Sequence, residues 1–178
     1  MDLFTLNFLL ASGGLMLLLI TIGLVVDYIW NRSTFYTVWV HPFVWQILVL
    51  TTVGSVGLSL VYSEYFGFIP CSLCWLQRIA LYPQALFSLM AVRTQERIFF
   101  PFYSMGLSVF GLLVALYHYI YQMIPAKTTG GIMPCLADGS TDCAVKIINQ
   151  FGFVTFPFLS LVTFAFLILL YINLRRVR

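Results

Sequence analysis

Charged side chains interrupt this sequence so rarely that its pattern is best read from the gaps between them. No Asp, Glu, Lys or Arg occurs from Leu3 to Val26, from Ser33 to Ser63, from Ile98 to Ala126 or from Ile147 to Leu174, and the stretch from Tyr65 to Val92 carries only Arg78. Each run exceeds the ~20 residues a helix needs to cross a ~30 Å hydrocarbon layer. The apolar runs are unbroken, whereas barrel strands would alternate over ~10-residue segments. The pattern predicts five transmembrane helices, at roughly residues 5–30, 43–63, 72–92, 98–122 and 154–174.

Composition agrees. Of 178 residues, 61% are hydrophobic and 8% charged, and mean hydropathy is +0.98. A soluble domain spends about a quarter of its residues on charge, so a cytosolic globule and a disordered tail are excluded. The net charge of +3 is spread without the basic cluster that nucleic-acid binding requires. With five spans, Arg32, Arg93, Arg97, Arg175, Arg176 and Arg178 fall on one side, and Lys127, Lys146 and the membrane-edge Arg78 on the other. The positive-inside rule makes the six-arginine side cytoplasmic and predicts an outer N-terminus. Met-Asp-Leu-Phe has no basic start, so a cleavable signal peptide is not expected.

Two connections then face outward, around Glu64 to Pro70 and from Met123 to about Phe153. The second holds most of the turn chemistry, in Lys127-Thr-Thr-Gly-Gly131, Pro134 and Asp138-Gly-Ser-Thr-Asp142. All four cysteines, Cys71, Cys74, Cys135 and Cys143, lie on this outer side, as two pairs. Three readings compete. Both pairs could be structural disulfides of an oxidising compartment. A four-cysteine zinc site fits by count, but the Cys135–Cys143 spacing is wide. The third reading is thiol exchange: a Cys-x-x-Cys loop is too small to restrict the unfolded chain much, so it is a poor staple and a suitable redox pair.

The surroundings of Cys71-Ser-Leu-Cys74 favour exchange. Pro70 precedes the pair, and the span begins near Ser72, so Cys74 is expected in the first helical turn, where unpaired amides stabilise a thiolate. Arg78 follows Cys74 by four residues on the same face and interrupts an apolar span on the side that positive charge avoids, which points to function. The bland alternative is a side chain snorkelling to the interface.

The segment Pro70-Cys-Ser-Leu-Cys-Trp-Leu-Gln-Arg-Ile-Ala-Leu-Tyr-Pro83 resembles the signature of the DsbB family of membrane disulfide-generating enzymes, including its BdbC branch. His118-Tyr-Ile-Tyr-Gln122-Met-Ile-Pro125 resembles the family segment beside the quinone, and Phe151-Gly-Phe-Val-Thr-Phe-Pro157 the start of the last family helix. The resemblance implies an all-α integral membrane bundle: a DsbB-like four-helix catalytic core at 43–174 plus an additional transmembrane helix at 1–32, with the second cysteine pair in an extracytoplasmic loop at 123–153. It also implies a bacterial cytoplasmic-membrane enzyme that oxidises a thioredoxin-fold thiol oxidase (DsbA/BdbD-like) and passes two electrons to ubiquinone or menaquinone. By position, the partner's thiolate would attack Cys135, Cys143 would relay to Cys71, and Cys74 would face the quinone as a thiolate. Arg78 and His118 match the family's quinone-side residues; Gln77 and Gln122 are further candidates for quinone binding. No metal site is implied. This second pair is separated by seven residues, shorter than in some relatives.

Two other functions stay open: a vitamin-K-epoxide-reductase-like quinone/thiol enzyme, although there the Cys-x-x-Cys comes late in the sequence, and a non-enzymatic scaffold with two structural disulfides. His118 alone would more often be a hydrogen-bonded packing residue. Trp39, Trp45 and Trp75 suit interface belts, Gly54 and Gly57 close helix packing, Pro83 and Pro101 kinks or helix starts, and Asp27 an interfacial carboxylate paired with Arg32.

Overall fold

A computed structural model describes residues 2–30, 36–94, 96, 98–123 and 143–176. Five helices form in chain order: α1 Leu3–Trp30, α2 Val44–Leu60, α3 Ser72–Thr94, α4 Phe99–Met123 and α5 Phe156–Arg176. The expected spans are therefore present to within a few residues. Around α2 the helix is not uniform: a π turn at Tyr36–Val40 and a 3₁₀ turn at His41–Phe43 precede it, and a second π turn, Val61–Tyr65, extends it. The unit Tyr36–Tyr65, α1, α4 and α5 are long and apolar enough to cross a membrane. α3 has the length, 23 residues, but Gln77, Gln84 and Ser88 are buried on its inner face, which lowers its hydropathy without exposing polar groups to lipid.

Local chemistry sets the helix starts. At α3, Pro70 cannot donate, and Cys71 accepts at its carbonyl from Trp75 N–H (3.0 Å) and at its sulfur from Cys74 N–H (3.3 Å), so it is the N-cap. At α4, the Glu96 carboxylate accepts the Ile98, Phe99 and Phe100 amides. Burial opposes its ionisation, yet these three donors outweigh it and hold the carboxyl below its ordinary value. Before α5, Gln150 and Val154 exchange both backbone hydrogen bonds across a tight turn in which Phe151 and Gly152 take positive φ (56° and 79°).

α3 packs against α2 and α4, α4 against α5, and α1 against α5. Gln84 ties three helices together: its carbonyl accepts from Ser108 of α4 and Tyr171 of α5, both at 2.9 Å, while its amide donates to Ala80. Thr52 and Ser88 bond across α2 and α3 at 2.9 Å. Close approach occurs at Gly111, where a Cβ would strike the Phe164 ring, and at Gly14, where it would strike Leu159. Gly54 and Gly57 have nothing within 4 Å of such an atom, so the expectation of close packing there is corrected. Trp39 and Trp75 are exposed as belt residues should be, but Trp45 is buried against Phe100, ring centroids 5.9 Å apart. Asp27 is buried and accepts the Tyr36 amide (3.0 Å); its expected partner Arg32 lies outside the described residues.

Candidate active site

The N-cap of α3 places Cys71 and Cys74 at one end of the bundle. Their sulfurs are free and 2.7 Å apart, against 2.03–2.05 Å in a disulfide, so a small movement closes the bond. The sulfur that receives the helix amide is that of Cys71, not Cys74 as the sequence suggested. Hydrogen bonding from Cys74 lowers the Cys71 thiol pKa, burial opposes this, and the hydrogen bond and charge of His118 lower it further; the result is about 4.

His118 projects from α4, 2% exposed. Its Nε2 lies 3.1 Å from the Cys143 carbonyl and 4.0 Å from Cys71 Sγ, and its Nδ1 lies 3.1 Å from the Gln77 amide nitrogen. A hydrogen on Nε2 points between the Cys143 carbonyl and the Cys71 sulfur, while Nδ1 meets the Gln77 amide. Gln122, one turn on, donates to the carbonyls of Cys143 (3.1 Å) and Val145 (3.3 Å). Histidine and glutamine thus pin the returning chain over the Cys-x-x-Cys pair. Cys143 is 1% exposed and disulfide-bonded. Its sulfur, Cys71 Sγ and a ring nitrogen of His118 all lie within 4.8 Å of one another. Cys135 lies outside the described residues.

Arg78 Nη2 donates to the Ser59 carbonyl (2.9 Å), and its guanidinium lies over the Trp75 ring, 5.2 Å from the centroid. Ser59 carries no sequence signal, because it acts through its backbone from another helix. Arg78, Cys71, Cys74, Gln77, His118 and Gln122 all border one cavity of about 640 Å³, which continues between apolar walls from α1, α2 and α5. Gln77 and Gln122 were expected beside a quinone; they border this cavity while hydrogen-bonding to His118 and to the 143–145 segment.

Such a site can carry out thiol–disulfide exchange: one stabilised thiolate, one sulfur a short movement from bonding to it, and a third cysteine within reach. The family model described as "Disulfide bond formation protein DsbB" matches residues 41–174. The chain is 34% identical over 126 residues to "Disulfide bond formation protein C" of Bacillus subtilis (strain 168), covering 70% of this chain and 84% of that one. It is 39% identical over 121 residues to "Probable disulfide formation protein C 1" of Bacillus anthracis (67% and 80%). A "Probable disulfide formation protein" of Coxiella burnetii is 38% identical over 123 residues (67% and 76%). No solved structure gives a significant match. With its helical bundle, its Cys-x-x-Cys helix cap and a family match over most of its length, the chain belongs to the DsbB family of disulfide bond formation proteins.

Proposed function

We propose that this protein is a membrane thiol:disulfide oxidoreductase that reoxidises an extracytoplasmic thioredoxin-like dithiol oxidase of the DsbA/BdbD kind and delivers two electrons to a membrane quinone. The observation that carries the reading is the approach of Cys143 to Cys71 within 4.8 Å, with Cys74 2.7 Å beyond, at the polar end of a cavity with apolar walls.

The chemistry balances as an exchange of disulfides. A partner thiolate attacks Cys135, displacing Cys143 as a thiolate; the partner's second thiol resolves the mixed disulfide and leaves the partner oxidised. Cys143 then attacks Cys71 of a Cys71–Cys74 disulfide, displacing Cys74, and Cys135 resolves that bond, restoring its own disulfide with Cys143. The net result is a reduced Cys71/Cys74 pair, with two electrons and two protons taken from the partner. His118 and Gln122 hold Cys143 over Cys71 through its carbonyl, and the amide at the helix cap receives the charge on Cys71.

The residues fit a quinone. Arg78 has five N–H donors in a fixed fork, one of them given to Ser59, and it borders the cavity beside Cys74. Gln122 borders the same cavity, and its side-chain oxygen is buried without a hydrogen-bond partner. A bound quinone would take up the two electrons of the pair with one proton from the Cys74 thiol and one from water, and leave as a quinol. Arg78 would bind and orient its carbonyl, while the apolar walls exclude water.

The test mixes purified protein, a reduced thioredoxin-like substrate and a quinone, and follows quinone absorbance. Turnover is expected with the wild type and lost in Cys74→Ser; unchanged turnover in the mutant would sink the mechanism.

A further inference from the structure

The family match begins at residue 41, so α1 is outside it, yet α1 is built into the wall of the reactive cavity. Leu9, Leu10, Gly13, Gly14 and Leu17 border the space that also reaches Cys74 and Arg78. Two contacts fix α1 in that position. At Gly14 the Leu159 side chain of α5 lies where a Cβ would stand, so the two helices interlock there. Near its start, Asn7 accepts a hydrogen bond from the Tyr62 hydroxyl at the end of the second span, with both residues buried. The opposite face of α1 carries Phe4, Met16 and Leu19, 66–72% exposed, as suits contact with lipid. One helix thus separates lipid from the cavity.

The lining changes character along the cavity. Arg78, Gln77, His118 and the two sulfurs gather together, whereas the walls that α1 shares with Leu58, Leu159 and Phe164 are mainly apolar, their polar groups being the hydroxyls of residues such as Ser55 and Thr163. That gradient suits an amphiphile with a polar, reducible head and a hydrocarbon tail. We propose that α1 binds the isoprenoid tail of the electron-accepting quinone and so sets the protein's preference for tailed over tail-less acceptors; this rests on the function proposed above.

Gly13 supplies the test, because a Cβ there meets nothing within 4 Å and Gly13 borders the cavity. Gly13→Leu adds a side chain at the cavity wall, from a position where its Cβ meets nothing. Using the full chain in detergent, equilibrium binding is measured for two quinones with the same ring, one tail-less and one carrying several isoprene units. Filling the pocket should weaken the tailed quinone about tenfold and leave the tail-less one unchanged, while Leu19→Phe on the lipid face changes neither. Independently, a quinone with a photoreactive group at its tail end should label the wild-type segment from Leu9 to Leu17, located by mass spectrometry. Unlabelled tailed quinone should displace the label, and excess phospholipid should not. Equal losses for both quinones, no loss for either, a label that never falls on α1, or displacement by phospholipid each overturns the proposal. If wild-type protein binds neither quinone, the functional reading falls as well.

Discussion

At the scale of single residues, the two cysteines of Cys71-Ser-Leu-Cys74 are made unequal by a few tenths of a nanometre. Cys71 caps α3 and collects the Cys74 amide, the Cys74 sulfur and the edge of His118, so in the reduced protein the charge belongs on Cys71. Its pKa is lowered to about 4, against about 8.5 for an ordinary thiol. The sign follows from linkage: a depressed acid contributes stability in full above its unfolded value and loses it as pH falls through the folded one. The reduced form therefore gains most above about pH 8.5 and loses that gain toward about pH 4. Alkylation of Cys71 in the reduced protein should accordingly keep nearly the same rate between about pH 8 and pH 5, where an ordinary thiol slows several hundredfold. In His118→Ala the midpoint of that profile should move up, because the Nε2 donor is gone. A profile that falls with an ordinary thiol midpoint in the wild type would place the charge elsewhere. His118 also illustrates how much of the site was legible. The Cys-x-x-Cys pair and Arg78 stand out because a charge and paired thiols are rare in apolar runs. That His118 lies between two cysteine segments depends on α4 packing against α3 and on the return of the chain at Cys143, neither of which is a local property.

At the scale of helices, length was readable and facing was not. A span must be about 20 apolar residues whatever it packs against, so the runs located the helices to within a few residues. Lipid is as apolar as a helix interface, so hydrophobic periodicity does not say which side turns inward. That is why Trp45 was expected in an interface belt and is instead core, and why Gly14 and Gly111, rather than Gly54 and Gly57, mark close approach. Polar side chains inside the spans carry the missing information. Gln84 is the clearest: it joins α3 to α4 and α5 through Ser108 and Tyr171. Gln84→Leu leaves two hydroxyls without that acceptor and should cost about 1–3 kcal/mol, read as a lower midpoint in detergent unfolding. Gly111→Leu forces the Phe164 ring to move and should cost a similar amount, about 1–3 kcal/mol, by overpacking. If Gln84→Leu unfolds with the wild type, these bonds add nothing over the contacts available in the unfolded, membrane-inserted chain.

Over the whole molecule, the fold brings together chain segments far apart in sequence: the cap of α3, the end of α4 and the 143–148 segment meet at one end of the bundle, and α1 reaches the same cavity from outside the family core. Electron relay through such a protein needs the two cysteine pairs to exchange without the helices separating. The distance from Cys71 to Cys143, within 4.8 Å, makes this a direct prediction. With Cys74→Ala and Cys135→Ala combined, each remaining cysteine has lost its usual partner, and mild oxidation should join Cys71 to Cys143, seen as a cross-linked peptide pair by mass spectrometry. Adding His118→Ala and Gln122→Ala removes the hydrogen bonds that hold the Cys143 carbonyl, so the cross-link should form about tenfold more slowly if each bond contributes about 1 kcal/mol or less to that arrangement. A double variant that stays fully reduced under the same oxidant, with both thiols still open to a small alkylating agent, would show that the segments do not meet in the membrane. A cross-link that forms equally fast without His118 and Gln122 would show that the chain around Cys143 reaches Cys71 by its own geometry, leaving the histidine to act on the thiolate alone.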